Sequence, residues 1–138
     1  MVIASDDDFQ GSVSGGCVEA DVIAMVATAV DTWGALHVLH NNAALTDASM
    51  HAKDLTVVDL DVETWDLSMA VNARGAMLAC KHAVPRMIAS GGGSIINTAS
   101  NQGLAGDLSQ TAYGAAKAAV ISMSSTEKLR VVHAPMAT

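Results

Sequence analysis

The chain has 138 residues, 51% of them apolar and only 3% aromatic, with a formal net charge of −7. That is enough apolar content for one packed domain over 1–138 with an Ala, Val and Met core, and it excludes a disordered chain. The acidic balance argues against nucleic acid or an anionic membrane surface as partner, and the longest apolar run, 22–30, is too short to span a bilayer.

In chain order, residues 1–5 read as a short strand, and Asp6, Asp7 and Asp8 follow. In a dinucleotide-binding fold an acidic residue at such a strand end hydrogen-bonds the adenosine ribose, so Asp6 is a candidate; the other reading is a solvated acidic loop. Residues 9–16 read as a flexible loop. No basic stretch followed by an apolar core marks a leader, and Cys17 and Cys80 lack metal or redox spacing, so a cytoplasmic protein is expected. The helix expected over 18–33 carries Val18, Val22, Met25, Ala29 and Trp33 on one face, and Gly34 ends it. A strand over 36–40 follows. His37 and His40 face opposite ways in it, which argues against a shared metal ion. Asn41, Asn42, Ala43 and Ala44 stand at its carboxyl end, where ligands bind in open α/β sheets.

Residues 45–60 read as an irregular loop. Asp61 is a good N-cap for a long helix over 62–89, with Trp65, Met69, Asn72, Ala76 and Cys80 on one stripe and Pro85 loosening its last turns. Asn72 on an apolar face is costly unless hydrogen-bonded. Gly91, Gly92 and Gly93 turn the chain into a buried β-branched strand over 94–98, which empties into a polar loop at Ser100. A helix from 111 to 128 carries Tyr113 and Lys117, four residues apart and so on one face. A last strand is expected over 129–133.

A hydroxyl, a phenol and an ammonium converging on one point make an acid/base site. A free phenol titrates near ~10, and an ammonium ~4 Å away at a dielectric of ~20 favours its anion by about 4 kcal/mol. One well-placed lysine therefore suffices to make a tyrosine a usable proton donor and acceptor. A surface Tyr–Lys pair is the competing reading of the same spacing.

Tyr113-Gly-Ala-Ala-Lys117, with Ser100 upstream, resembles the active site of the short-chain dehydrogenase/reductase family. Asn41-Asn42-Ala43-Ala44 resembles the family's Asn-Asn-Ala-Gly turn, with Ala44 at the glycine. Val71-Asn72-Ala-Arg-Gly75 resembles the segment bearing its active-site asparagine, and Gly93-Ser94-Ile95-Ile96-Asn97 the strand before its serine. The resemblance implies that Tyr113 transfers the proton, Lys117 assists it and contacts the nicotinamide ribose, Ser100 binds the substrate oxygen, and Asn72 anchors a relay water. It places Asn42, Ala43 and Ala44 on the cofactor side. Gly11 and Gly15, with Gly16 between Gly15 and Cys17, imitate the family's Gly-xxx-Gly-x-Gly phosphate loop, but with Cys17 at the third glycine. The helix that follows leads straight to Asn41, however, so they are read as a shortened connection.

The expected fold is a three-layer Rossmann-like α/β sandwich with a mostly parallel sheet, incomplete relative to the full family fold. The expected function is NAD- or NADP-dependent oxidoreduction of a small alcohol or carbonyl, with weak or absent cofactor binding for want of a phosphate cradle and with homo-oligomers expected. The alternative is a catalytically silent remnant that serves as a dimerising or binding module.

Overall fold

The computed structural model describes residues 2–3, 9–10 and 18–124. Two small sheets are present among them. Strand β1 (Val2–Ile3) pairs antiparallel with β2 (Phe9–Gln10). This corrects two expectations: the first strand belongs to a local hairpin rather than to the parallel sheet, and part of the 9–16 loop is strand. The connection between β1 and β2 is too short for anything but an antiparallel return, since a parallel crossover takes a dozen residues or more. Asp6, Cys17 and the expected strand at 129–133 lie outside the described residues.

Helix α1 (Val18–Trp33) has the expected bounds. Gly34 closes it at φ +76°, where a side chain would be strained, and its amide returns to the Val30 carbonyl at 2.7 Å. The buried face is Val22, Val26 and Ala29. Trp33 departs from the expected stripe: it falls on the final turn and is exposed, and Leu36 fills the core there instead. Strand β3 (Val38–Asn41) then pairs in parallel with β4 (Ser94–Asn97), Leu39 opposite Ile95 and Asn41 opposite Asn97.

Between them run α2 (Ala48–His51), α3 (Val62–Ser68), a π-helical turn over Met69–Arg74 and α4 (Gly75–Ala89). The stretch 45–60 is thus not wholly irregular. Asp47 caps α2 by accepting from the Ser49 and Met50 amides, a short-range polar pattern that hydrophobic periodicity does not register. Asp61 caps α3 as expected, taking the Thr64 amide at 2.7 Å. The helix over 62–89 is not a single α-helix: at the π turn the Gly75 amide reaches back five residues, to the Ala70 carbonyl. It nevertheless continues past Pro85 to Ala89.

Helices α1 and α4 pack on one face of the parallel pair, around Leu39, Ala83 and Met87, with Ile95 against them. Among the described residues no element covers the opposite face, where Val38 is 55% and Ile96 49% exposed. Strand β4, expected as a buried strand, is therefore half-buried, because side chains alternate between faces and only one face is covered. The chain has an incomplete Rossmann-like α/β fold, and its described residues supply two layers. Gly93 permits the strands to meet, since a Cβ there would lie 2.5 Å from the His37 carbonyl oxygen. After β4 come α5 (Gln102–Ala105) and α6 (Thr111–Ser124), which pack on each other.

Candidate active site

The carboxyl ends of β3 and β4 open on a cavity of about 40 Å³, lined by Asn42, Ala43, Asn72, Thr98 and Lys117 among others. That is room for a water, which needs about 10–15 Å³. Four separate stretches of sequence, 22–25, 41–43, 71–79 and 98–120, meet here. Asn41 and Thr98 are held side by side by the sheet, with the Thr98 amide donating to the Asn41 carbonyl at 2.9 Å. Asn41 Nδ2 spans to Asn97 Oδ1 at 2.7 Å and to Cys80 Sγ at 3.4 Å, tying both strands to α4. The Cys80 thiol is buried, and that burial pushes its pKa up.

Lys117 lies on the buried face of α6, 2% exposed. No carboxylate pairs with it among the described residues. Its Nζ donates to the Thr98 carbonyl at 2.7 Å and stands 5.6 Å from the centre of the Tyr113 ring. Burial pushes the ammonium below its ordinary range, because a desolvated charge is disfavoured. An ammonium has three donors, so two remain beyond the Thr98 bond.

Asn72 sits within the π turn and is almost wholly buried. Its Oδ1 accepts from the Leu45 amide at 3.0 Å and its Nδ2 donates to Ser68 Oγ at 3.0 Å. The polar side chain on an apolar face is thereby satisfied, and it ties the loop after Ala44 to the helix. One lone pair of Oδ1 is left over. Single π turns inside α-helices often mark functional sites, and here the turn carries the asparagine. Ala44, at the position of the family's glycine, is not strained: Gln110 is the one non-glycine residue with positive φ among the described residues.

Ser100 is half-buried, and its Oγ accepts from the Gln102 amide at 3.3 Å, leaving its own proton free. No hydrogen bond joins Ser100 to Tyr113 among the described residues, so the two are not clasped together. Of the expected site residues, Asn42, Ala43, Asn72 and Lys117 therefore share one cavity, with Tyr113 beside Lys117. Ala44 stands next in sequence to that wall, after Ala43, and Ser100 two residues beyond Thr98, and neither lines it. Asp6 lies outside the described residues.

Two residues were not singled out from sequence. Thr98, whose carbonyl holds Lys117, acts through its backbone, to which residue type gives no clue. Asp54 is a buried carboxylate that accepts from the Ala112 and Tyr113 amides at 2.8 and 2.9 Å. Its partners lie 58 and 59 residues away, so nothing local marks it.

The family model described as short chain dehydrogenase matches residues 17–135. A probable short-chain type dehydrogenase/reductase of Bradyrhizobium diazoefficiens is 43% identical over 115 residues, which cover 82% of this chain and 40% of that protein. A sorbitol dehydrogenase of Cereibacter sphaeroides is 36% identical, covering 83% of this chain and 43% of that one. A cyclohexanol dehydrogenase of Acinetobacter sp. is 35% identical, with 79% and 41% covered. The chain thus spans about two fifths of the length of these relatives.

Proposed function

This chain belongs to the short-chain dehydrogenase/reductase family, and we propose that it serves NAD(P)-dependent oxidoreduction between a small alcohol and its carbonyl. The observation that carries the reading is a buried lysine with no carboxylate partner among the described residues, beside Tyr113 and in one cavity with Asn42 and Asn72. A desolvated ammonium that no acid neutralises is a costly feature to keep in a fold, and such groups concentrate at functional sites.

The donor set fits the nicotinamide-ribose side of a dinucleotide. Two spare N–H donors on Lys117 suit ribose hydroxyls, and Asn42 and Ala43 line the same space. Bound there, the cofactor supplies or accepts hydride, which no amino-acid side chain does. The residues do the rest. Tyr113 gives its phenolic proton to the substrate oxygen in reduction and takes it back in oxidation. Lys117 assists that transfer by its positive charge and passes protons onward. Ser100 donates its free hydroxyl proton to the substrate oxygen and fixes its place. Asn72 holds a relay water with the spare lone pair of Oδ1, in a cavity large enough for it. The sorbitol and cyclohexanol dehydrogenases among the relatives favour an alcohol substrate. We infer in addition that copies of the chain associate, which light scattering measures.

Nicotinamide absorbance, followed with NAD and NADP across a panel of secondary alcohols and their ketones, tests the reading. Turnover that falls by about 10²–10⁴-fold in Tyr113→Phe is the expected result. No turnover with either cofactor across the panel would leave the silent binding module as the better account.

A further inference from the structure

We propose that Asp54 is a positioning residue that fastens the Tyr113 turn from a remote loop; this rests on the reading of Tyr113 as the proton donor and acceptor. Asp54 is 4% exposed, and a carboxylate is buried at great cost unless its oxygens are bonded. Both are bonded, to one place. Oδ1 accepts from the Ala112 amide at 2.8 Å and Oδ2 from the Tyr113 amide at 2.9 Å. The Asp54 carbonyl accepts from the Gln110 amide at 2.7 Å, and Thr111 Oγ1 donates to the Leu55 carbonyl at 2.8 Å. Four consecutive residues at the start of α6 are therefore held by two residues of the loop.

The first amides of a helix have no partner within it, and a side chain just ahead of the helix ordinarily satisfies them. Here the residue in that place is Gln110, and its Oε1 is occupied by Gln102 Nε2 at 2.8 Å. Gln110 also stands at φ 59°, a left-handed conformation that persists only where the surroundings dictate it. The helix start is thus set by Asp54 and not by its own sequence. The same loop is pinned at its other end, where the Leu45 amide meets Asn72. Tyr113 is the third residue of α6, so its ring is carried by the very turn that Asp54 holds. Release of that turn displaces the phenol relative to Lys117 one turn further on, which sits on the well-packed part of the helix.

The full chain with Asp54→Ala and Asp54→Asn provides the test. Tyr113 is the single tyrosine, so a chain labelled with fluorotyrosine gives one fluorine resonance, from that ring. Asp54→Ala should shift and broaden this line and speed amide exchange at Ala112 and Tyr113, while α1 keeps its protection. Turnover should fall by roughly 10–100-fold through kcat, with KM little changed, as for a displaced but intact catalytic group. Asp54→Asn retains one acceptor oxygen and should lie between, and it carries the test should the alanine variant not fold. An unmoved line with unchanged exchange at 112 and 113 overturns the fastening. A displaced line with full turnover overturns the positioning role and leaves the proposed function intact. An inactive parent chain refutes the proposed function instead, and the fluorine and exchange readouts still uphold or overturn the fastening.

Discussion

Replacing Gly103 by alanine sets a methyl group against the helix that bears Tyr113 and Lys117. The added Cβ would lie 2.7 Å from the Ala118 nitrogen and 2.7 Å from the Lys117 carbonyl carbon. Ordinary contact begins near 3.4 Å, so the overlap is roughly 0.7 Å, and both atoms belong to the backbone inside α6, which cannot give way. Helix α5 must lift instead. Overpacking of this kind costs about 1–3 kcal/mol, offset by about 0.4–1 kcal/mol from the smaller conformational freedom of alanine in the unfolded chain. The net is about 1–2 kcal/mol of destabilisation, or a melting point lower by roughly 3–7 °C for a chain of this size. Gly114→Ala probes the same contact from the other side more gently, because its Cβ would meet the Gln102 carbonyl oxygen at 3.3 Å. Urea denaturation followed by tryptophan fluorescence should therefore rank the parent chain and Gly114→Ala above Gly103→Ala. A Gly103→Ala chain as stable as the parent would show that α5 does not rest on α6 as described.

Tyr113→Phe keeps the ring and removes the proton, so turnover should fall by about 10²–10⁴-fold, and near-normal rates would remove Tyr113 from its assigned role. Lys117 has a folded pKa below its unfolded value, so the penalty of burying its charge is present at neutral pH and relieved as pH rises through the folded pKa towards the ordinary lysine range. Stability should rise over that alkaline window in the parent chain, and pH-dependent melting should show that component of the rise lost in Lys117→Met. Asp61 carries the opposite sign: the Thr64 amide and hydroxyl hold its carboxyl below the usual carboxylate range. The stability it contributes is present above the unfolded pKa and is lost as pH falls through the folded one. An Asp61→Ala chain should melt below the parent at neutral pH, with the gap closing in acid. Calorimetric titration with NADH and NADPH should give weak binding, millimolar rather than micromolar. A dissociation constant of about ten micromolar or tighter would show that residues 11–17 form a working phosphate loop.

Much of this protein is written locally in its sequence. The periodicity of α1, its Gly34 stop, the Asp61 cap and the existence of two strands, expected over 36–40 and 94–98 and observed over Val38–Asn41 and Ser94–Asn97, follow from short-range preferences, which act over a few residues and leave a readable pattern. The spacing of Tyr113 and Lys117 likewise fixes them on one helix face in advance of any packing. Tertiary structure decided what those preferences leave open. Val2 and Ile3 carry strand propensity, but whether they joined the parallel sheet or a hairpin depended on a partner, and propensity names none. The π turn over Met69–Arg74 interrupts a helix whose apolar stripe looks continuous, and the asparagine it carries meets Leu45, 27 residues away, a partner that no local pattern names. Lys117 chose Thr98, and the Tyr113 turn chose Asp54, across 19 and 59 residues. Sequence alone establishes which side chains can serve as donors and acceptors. Which of them meet is settled by the packing of α4 on the sheet and of α6 against the π turn, since a buried polar group takes the partner that the fold brings within about 3 Å.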